Sequence, residues 1–177
     1  MPSNLVRIMR GKVWKFGDSV DTNQLAGVPT AKTMDDYHAG CLAGLRPEFP
    51  SEAKPGDILV AGMNFGNGSS RQSAVEVLMY MGIQAVVAES VARIYFRTSM
   101  ALAFPVFIAP GIQGIVADGE ELEIEYASAT VRNPRTGATV TLKRYPASVE
   151  RMFDAGGIAS LIGKRLEEMG IARPAVH

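Results

Sequence analysis

The 177-residue chain has one cysteine, Cys41, two histidines, His38 and His177, and one tryptophan. One thiol excludes an internal disulfide, and iron–sulfur clusters are typically held by several thiolates. Two histidines, one of them terminal, make no zinc constellation. This chain therefore cannot hold an iron–sulfur cluster by itself, and a reaction that needs one would take it from another chain. Lys+Arg and Asp+Glu both number 18, so the formal net charge is +0 and no overall field points to nucleic acid or a membrane surface. Basic residues are scattered, without a patch interleaved with aromatics. No apolar run reaches the roughly 18 residues of a spanning helix, and Met1-Pro2-Ser3-Asn4 opens no long apolar signal segment. The expected setting is cytoplasmic, with no nucleic-acid or membrane partner. No internal repeat is evident. Hydrophobic content of 47% and charged content of 20% are ordinary globular values, and the length suits one domain over 1–177.

The most informative stretch is Ala61-Gly62-Met63-Asn64-Phe65-Gly66-Asn67-Gly68-Ser69-Ser70-Arg71-Gln72. It follows the apolar run Ile58–Ala61 and precedes Ser73–Met81, which has helical periodicity. A strand, a glycine-rich loop and a helix are predicted, with two hydroxyls and a guanidinium in the first helical turn. Gly66 and Gly68 permit positive φ and close backbone approach. Amides at a helix start lack intrahelical partners and attract anions, and Arg71 adds a fork of donors matched to carboxylate. On position alone, Ser69 or Ser70 can equally be an N-cap and Arg71 a solvated charge. The stretch is neither a Gly-Lys-Ser/Thr phosphate loop nor a dinucleotide fingerprint.

Elsewhere the pattern alternates helix and strand. Val6–Phe16 reads as a strand, followed by a turn rich in side-chain acceptors, Gly17–Thr22. Asn23–Pro50 has little periodicity, apart from a short helix around Thr33–His38, and reads as a lid, a binding loop or disorder. Ala85–Ala88 is a buried strand, making a β-α-β unit with Ile58–Ala61 and the helix between them, which Gly82 ends as C′. Val91–Met100 reads as a helix with Arg93 and Arg97 on one face, fit either for solvent or for an anion or partner subunit. Phe104–Ile108 resumes as a strand. The alternation of Glu121, Glu123 and Glu125 with Leu122, Ile124 and Tyr126 marks a half-buried strand. A turn at Asn133–Gly137 leads to a returning strand at Thr139–Leu142. Ser148–Glu168 is helical around a break at Gly156-Gly157, and 172–177 reads as a tail.

Several ordered motifs carry a resemblance beyond these patterns: Gly11-Lys12-Val13-Trp14-Lys15-Phe16-Gly17-Asp18 with Val20-Asp21-Thr22, Lys54-Pro55-Gly56-Asp57, the Asn64–Arg71 loop, Ala88–Arg97 and Asp154-Ala155-Gly156-Gly157. Together they resemble the small subunit of 3-isopropylmalate dehydratase, the separate swivelling-domain chain of the aconitase superfamily. The resemblance implies an α/β fold, a single swivelling β/β/α domain. It also implies a hydro-lyase active only with a large iron–sulfur subunit, as a heterodimer or heterotetramer, with the [4Fe-4S] cluster on that partner. The substrate would be a small dicarboxylic hydroxy acid, 3-isopropylmalate as in leucine biosynthesis, or alternatively 2,3-dimethylmalate, citrate or homocitrate. By motif position Ser69 becomes the base and Arg71 the carboxylate ligand. Gly66, Asn67, Gly68 and Ser70 shape the substrate loop. Thr30 and Lys32 belong to the 23–54 region that selects the side chain.

The chemistry is physically coherent. Abstracting a proton next to a carboxylate needs donors that hold the carboxylate as charge spreads onto it, and a base at the carbon. Departure of the neighbouring hydroxyl is eased by a Lewis acid, which this chain does not carry. The sequence departs from the family where Gln72-Ser73 replace Glu-His and Asn67 replaces cysteine. Asn23 replaces aspartate, Gly27–Thr30 replaces a Pro-x-Arg-Tyr segment, and Thr98 and Ala101 stand at frequent asparagines. These departures leave the substrate open, and with it a different class of role, a non-catalytic acid-binding or regulatory module.

Overall fold

A computed structural model describes Leu5, residues 8–27 and residues 30–171. Val28, Pro29, the 172–177 stretch read as a tail, and His177 lie outside the described residues, as do Val6 and residues 1–4.

The sheet is built around its first strand. β1 (Ile8–Lys15) pairs in parallel with β2 (Ile58–Ala61), Val13 opposite Ile58 and Lys15 opposite Val60. Its other edge pairs antiparallel with β5 (Glu121–Glu125). β3 (Ala85–Ala88) and β4 (Val106–Ile108) continue the parallel half; β6 (Thr130–Arg132) and β7 (Thr139–Thr141) continue the antiparallel half. The order is β4-β3-β2-β1-β5-β6-β7. β2 and β3 are buried at every position, as their continuous apolar runs require. In β5, Leu122 and Ile124 point into the core, while Glu121 and Glu123 pair with Arg10 and Arg132. The acidic row is thus the wet face of a sheet.

Helix α4 (Ser73–Tyr80) connects β2 to β3, and α5 (Arg93–Ala101) connects β3 to β4. α4 ends in a Schellman turn: Gly82, at φ 74°, donates to Met79 O, and Ile83 donates to Leu78 O. α4 begins at Ser73, where its periodicity starts, whereas α5 begins at Arg93 rather than Val91. Gln72 caps α4 without a side-chain bond, so Ser69, Ser70 and Arg71 sit in the loop before it rather than in its first turn. Val91 instead forms a bridge with Phe65, and the Ala92 N–H donates to Phe65 O, which delays α5 to Arg93.

The stretch expected to be weakly structured, apart from a short helix around Thr33–His38, holds that helix as α2 (Met34–Gly40) together with two more, α1 (Thr22–Leu25) and α3 (Phe49–Glu52). Local capping explains two of them. Asp21 with Gln24, and Thr33 with Asp36, form reciprocal capping boxes. Burial anchors the third: Phe49 packs edge-on against Trp14 at 5.1 Å and Phe16 at 5.7 Å. One further helix, α6 (Ile112–Ile115), follows β4. α7 (Ala147–Ala155) and α8 (Ile158–Glu168) are separated by the Gly156-Gly157 break, both at positive φ, and contact α5. The hairpin joining β5 to β6 turns at Tyr126–Ala129, earlier than the Asn133–Gly137 turn read from sequence, which joins β6 to β7. Among the described residues no helix is long and apolar enough to cross a membrane.

Asp57 ties β1 to the β2 edge. Its buried carboxylate accepts from Trp14 Nε1 at 2.8 Å and from the Lys54 N–H at 2.9 Å. Replacing it by alanine strands a buried indole N–H, which costs about 1–3 kcal/mol. Chemical denaturation should show that loss for Asp57→Ala and a smaller one for Asp57→Asn, which keeps an acceptor.

Candidate active site

Three parallel strands end side by side, and each hands its carboxyl end to one of the motif stretches. β1 leads to Gly17–Thr22, β2 to the Gly62–Gln72 loop, and β3 to Glu89–Ala92. Ligand sites of open α/β sheets lie outside the carboxyl ends of their strands.

Backbone bonds clamp the central loop from both sides. Towards the first motif, Gly62 N–H donates to Gly17 O (3.0 Å), Ser19 N–H to Met63 O (2.8 Å), Gly66 N–H to Val20 O (2.7 Å) and Thr22 N–H to Asn67 O (2.9 Å). The Asp18 carboxylate accepts from Met63 N–H at 2.7 Å. Towards the third, Phe65 N–H donates to Ser90 O (3.0 Å), and Asn64 N–H to Ser90 Oγ (2.8 Å). Phe65 itself is buried, edge-on to Tyr95 at 5.3 Å. Two glycines are required by this packing. A Cβ on Gly66, at φ 75°, would lie 2.2 Å from Tyr95 Cγ; one on Gly68, at φ 101°, would meet Thr22 Oγ1 at 2.9 Å. That Thr22 hydroxyl is 1% exposed and has no hydrogen-bond partner among the described residues. The acceptor-rich turn at Gly17–Thr22 therefore does two jobs: Asp21 caps α1, and its neighbours hold the loop.

Past Asn67 the lacing stops. The N–H groups of Gly68, Ser69, Ser70 and Arg71 donate to no acceptor among the described residues. Gly68, Ser69 and Ser70 are exposed and Arg71 is half-buried. Arg71 Nε donates to Ser69 Oγ at 3.2 Å. A cation donating to the serine oxygen favours its alkoxide over its hydroxyl, and unpaired amides beside a guanidinium suit a carboxylate. Ser69 and Arg71, paired on sequence grounds, do meet in space.

Other expected residues are placed elsewhere. Thr30 lines a separate hollow of about 240 Å³ with Asp36 and Gly40 at α2, where no residue of the loop contributes. Lys32 is exposed and its N–H bonds the Asp36 carboxylate. A larger cavity of about 570 Å³ flanks the loop, lined by Asn64, Asn67, Gly68, Ala92, Arg93 and Arg97 among others. Ser69 and Arg71 do not line it. The i, i+4 spacing of the two arginines signalled a shared face; their meeting with Asn64 and Asn67 was not readable, because it depends on the Phe65–Val91 bridge.

The chain's own donors do not fit an iron–sulfur cluster. Cys41 is buried, and burial pushes its thiol up to about 12. His38 Nε2 is engaged with Pro50 O at 2.8 Å. Among the described residues no group of three or more His, Cys, Asp or Glu side chains gathers to hold a metal.

The aconitase C-terminal domain family model matches residues 29–104. The chain is 37% identical over 160 residues to the 3-isopropylmalate dehydratase small subunit of Aquifex aeolicus, covering 89% of this chain and 95% of that protein. It belongs to the 3-isopropylmalate dehydratase small-subunit family. The isopropylmalate/citramalate isomerase small subunit of Methanocaldococcus jannaschii is 36% identical, over 91% of this chain and 97% of that one. The methanogen homoaconitase small subunit of Methanothermobacter thermautotrophicus is 37% identical, over 86% and 89%. A crystal structure of 3-isopropylmalate dehydratase from Methanocaldococcus jannaschii superposes with a TM-score of 0.85 at 32% identity, covering 93% of this chain and 98% of that one. The mixed α/β sheet described above is thus the fold of this small-subunit family and of the aconitase C-terminal domain.

The rigid part of the family's loop is testable directly. Gly66→Ala combines a left-handed backbone with a clash against a buried ring and should cost at least ~2 kcal/mol. Gly119→Ala, with φ 79° but nothing within 4 Å, provides the control for backbone strain alone. Denaturant midpoints should fall clearly further for Gly66→Ala than for Gly119→Ala.

Proposed function

We propose that this chain is the small subunit of a two-chain hydro-lyase that dehydrates and isomerises a substituted malate, with 3-isopropylmalate the first candidate. The observation that supports this most is the Ser69–Arg71 contact on a loop whose next amides are free, in a member of this family. Arg71 and the Gly68–Arg71 amides hold a carboxylate of the acid. Ser69 Oγ takes the proton from the carbon next to that carboxylate, and the electron pair forms the double bond as hydroxide leaves the neighbouring carbon. Rehydration reverses these steps with the hydroxyl on the other carbon.

A serine base and a carboxylate clamp are half of such a site. Assistance to the leaving hydroxyl has to come from a second chain, because one buried, protonated thiol cannot hold a cluster. The large subunit of the complex is its proposed bearer. The chain acts as one swivelling unit that brings the loop against that partner. Gly66, Asn67, Gly68 and Ser70 shape the loop. Thr30 and Lys32, in the 23–54 region, meet the acid's side chain on assembly.

A second reading keeps the chemistry and changes the acid. Asn67, Gln72 and Ser73 depart from the family pattern around the base, and the relatives include chains named for citramalate and homoaconitate chemistry. A panel of 3-isopropylmalate, citramalate, 2,3-dimethylmalate, citrate and homocitrate separates these readings.

In the reconstituted complex Ser69→Ala and Arg71→Ala should each lower kcat/KM by at least ~100-fold, the usual cost of removing one preorganised donor. Arg71→Lys should recover only part, because an ammonium does not reproduce the fork. Unsaturated acid is followed by its ultraviolet absorbance. Variants that turn over like the parent would overturn these assignments, and a stable complex inert on every acid would favour a binding or regulatory module.

A further inference from the structure

Arg93 and Arg97 are left unused by the proposed reaction. They sit one turn apart on α5, and both line the cavity with Asn64, Asn67 and Gly68. Neither guanidinium makes a hydrogen bond or ion pair among the described residues, whereas those of Arg10, Arg46, Arg132 and Arg135 each hold a carboxylate. No acidic residue lines the cavity. Between the two arginines Ile94 is 49% exposed, and Met63, next to Asn64, is 53% exposed. Scattered exposed apolar residues need no explanation. Here Ile94 lines the cavity between the unpaired guanidiniums, and Met63 adjoins Asn64 of the loop that bears the proposed base. Exposed methionine, isoleucine and arginine without lysine is the composition of an interface core rather than of a solvated face.

We propose that this face of α5 docks the large subunit, and that the cavity receives a carboxylate-bearing segment of that chain. The inference rests on the two-chain reading above and adds where, and through what chemistry, the partner binds. The guanidinium forks suit carboxylates, and the missing acid has to come from outside this chain. The substrate is the less suitable occupant. An acid held by Ser69 and Arg71 does not fill a cavity that neither residue lines. Asn67 and Gly68 wall the cavity, so a segment seated there also sets the loop's position relative to the partner.

The test measures binding of the purified large subunit to the parent, to Arg93→Glu/Arg97→Glu and to Arg93→Lys/Arg97→Lys, at low and high salt. Charge reversal should weaken binding at least ~10-fold, with a smaller difference at high salt, and the lysine pair, which keeps the charge but not the fork, should fall between the parent and the reversed pair. Both side chains are exposed, so melting of the isolated chain should be unchanged. At saturating large subunit the reversed pair should recover kcat, which Ser69→Ala does not. Equal affinity of parent and reversed pair would overturn the proposal and leave the reaction intact. Unchanged affinity with a raised KM would overturn it too, assigning the arginines to the acid. A parent chain that binds no large subunit would remove this inference together with the functional reading.

Discussion

Main-chain hydrogen bonds on both sides of Phe65 are the constraint on which the rest depends. Gly66 and Asn67 are bonded to Val20 and Thr22, while Phe65 is bonded to Ser90 and Ala92. Three segments distant in sequence thereby become one surface at the ends of three parallel strands. Because the strands fix where each segment starts, the sheet's register sets the geometry of the loop. Backbone atoms do the holding, so side chains on the outer part of the loop are available for chemistry.

The boundary between the held and unheld parts falls at Asn67–Gly68. Before it, every turn is braced by neighbouring chain and by the Phe65–Tyr95 contact. After it, four amides, two hydroxyls and a guanidinium face outward. Preorganised donors stabilise developing charge best when water is excluded, and an exposed loop does not exclude water by itself. An opposing surface is needed, and the unpaired arginines and the exposed Ile94 on α5 lie beside the same loop. Binding of acid and closure of the seam are therefore expected to be coupled, each limiting the other.

Much of this was legible in the residues. The apolar runs at Ile58–Ala61 and Ala85–Ala88, the Gly82 terminator, the wet acidic row of β5 and the Gly156-Gly157 break follow from periodicity and glycine conformation, and each has its counterpart in the structure. Helix starts were less legible. Ser69 and Ser70 are good capping residues locally, yet the positive-φ glycines and the bonds to Val20 and Thr22 carry the chain past them before α4 begins. The helix around Thr33–His38 was legible and stands as α2, but α1 and α3 were hidden for a related reason. Each has four residues, too few for an amphipathic period to develop; α1 packs against α4, and α3 is anchored by Phe49 against Trp14 and Phe16. The cavity beside the loop could not be read at all, since its two walls meet only through the Phe65–Val91 bridge.

The central claim is that the catalytic surface is divided between chains. It is tested most directly by the rate of unsaturated-acid formation from 3-isopropylmalate and the related malates, measured anaerobically for this chain alone, the large subunit alone and the two mixed. Division of the site requires no turnover from either chain alone and turnover that saturates as one chain is titrated with the other. Turnover by this chain in isolation would contradict it.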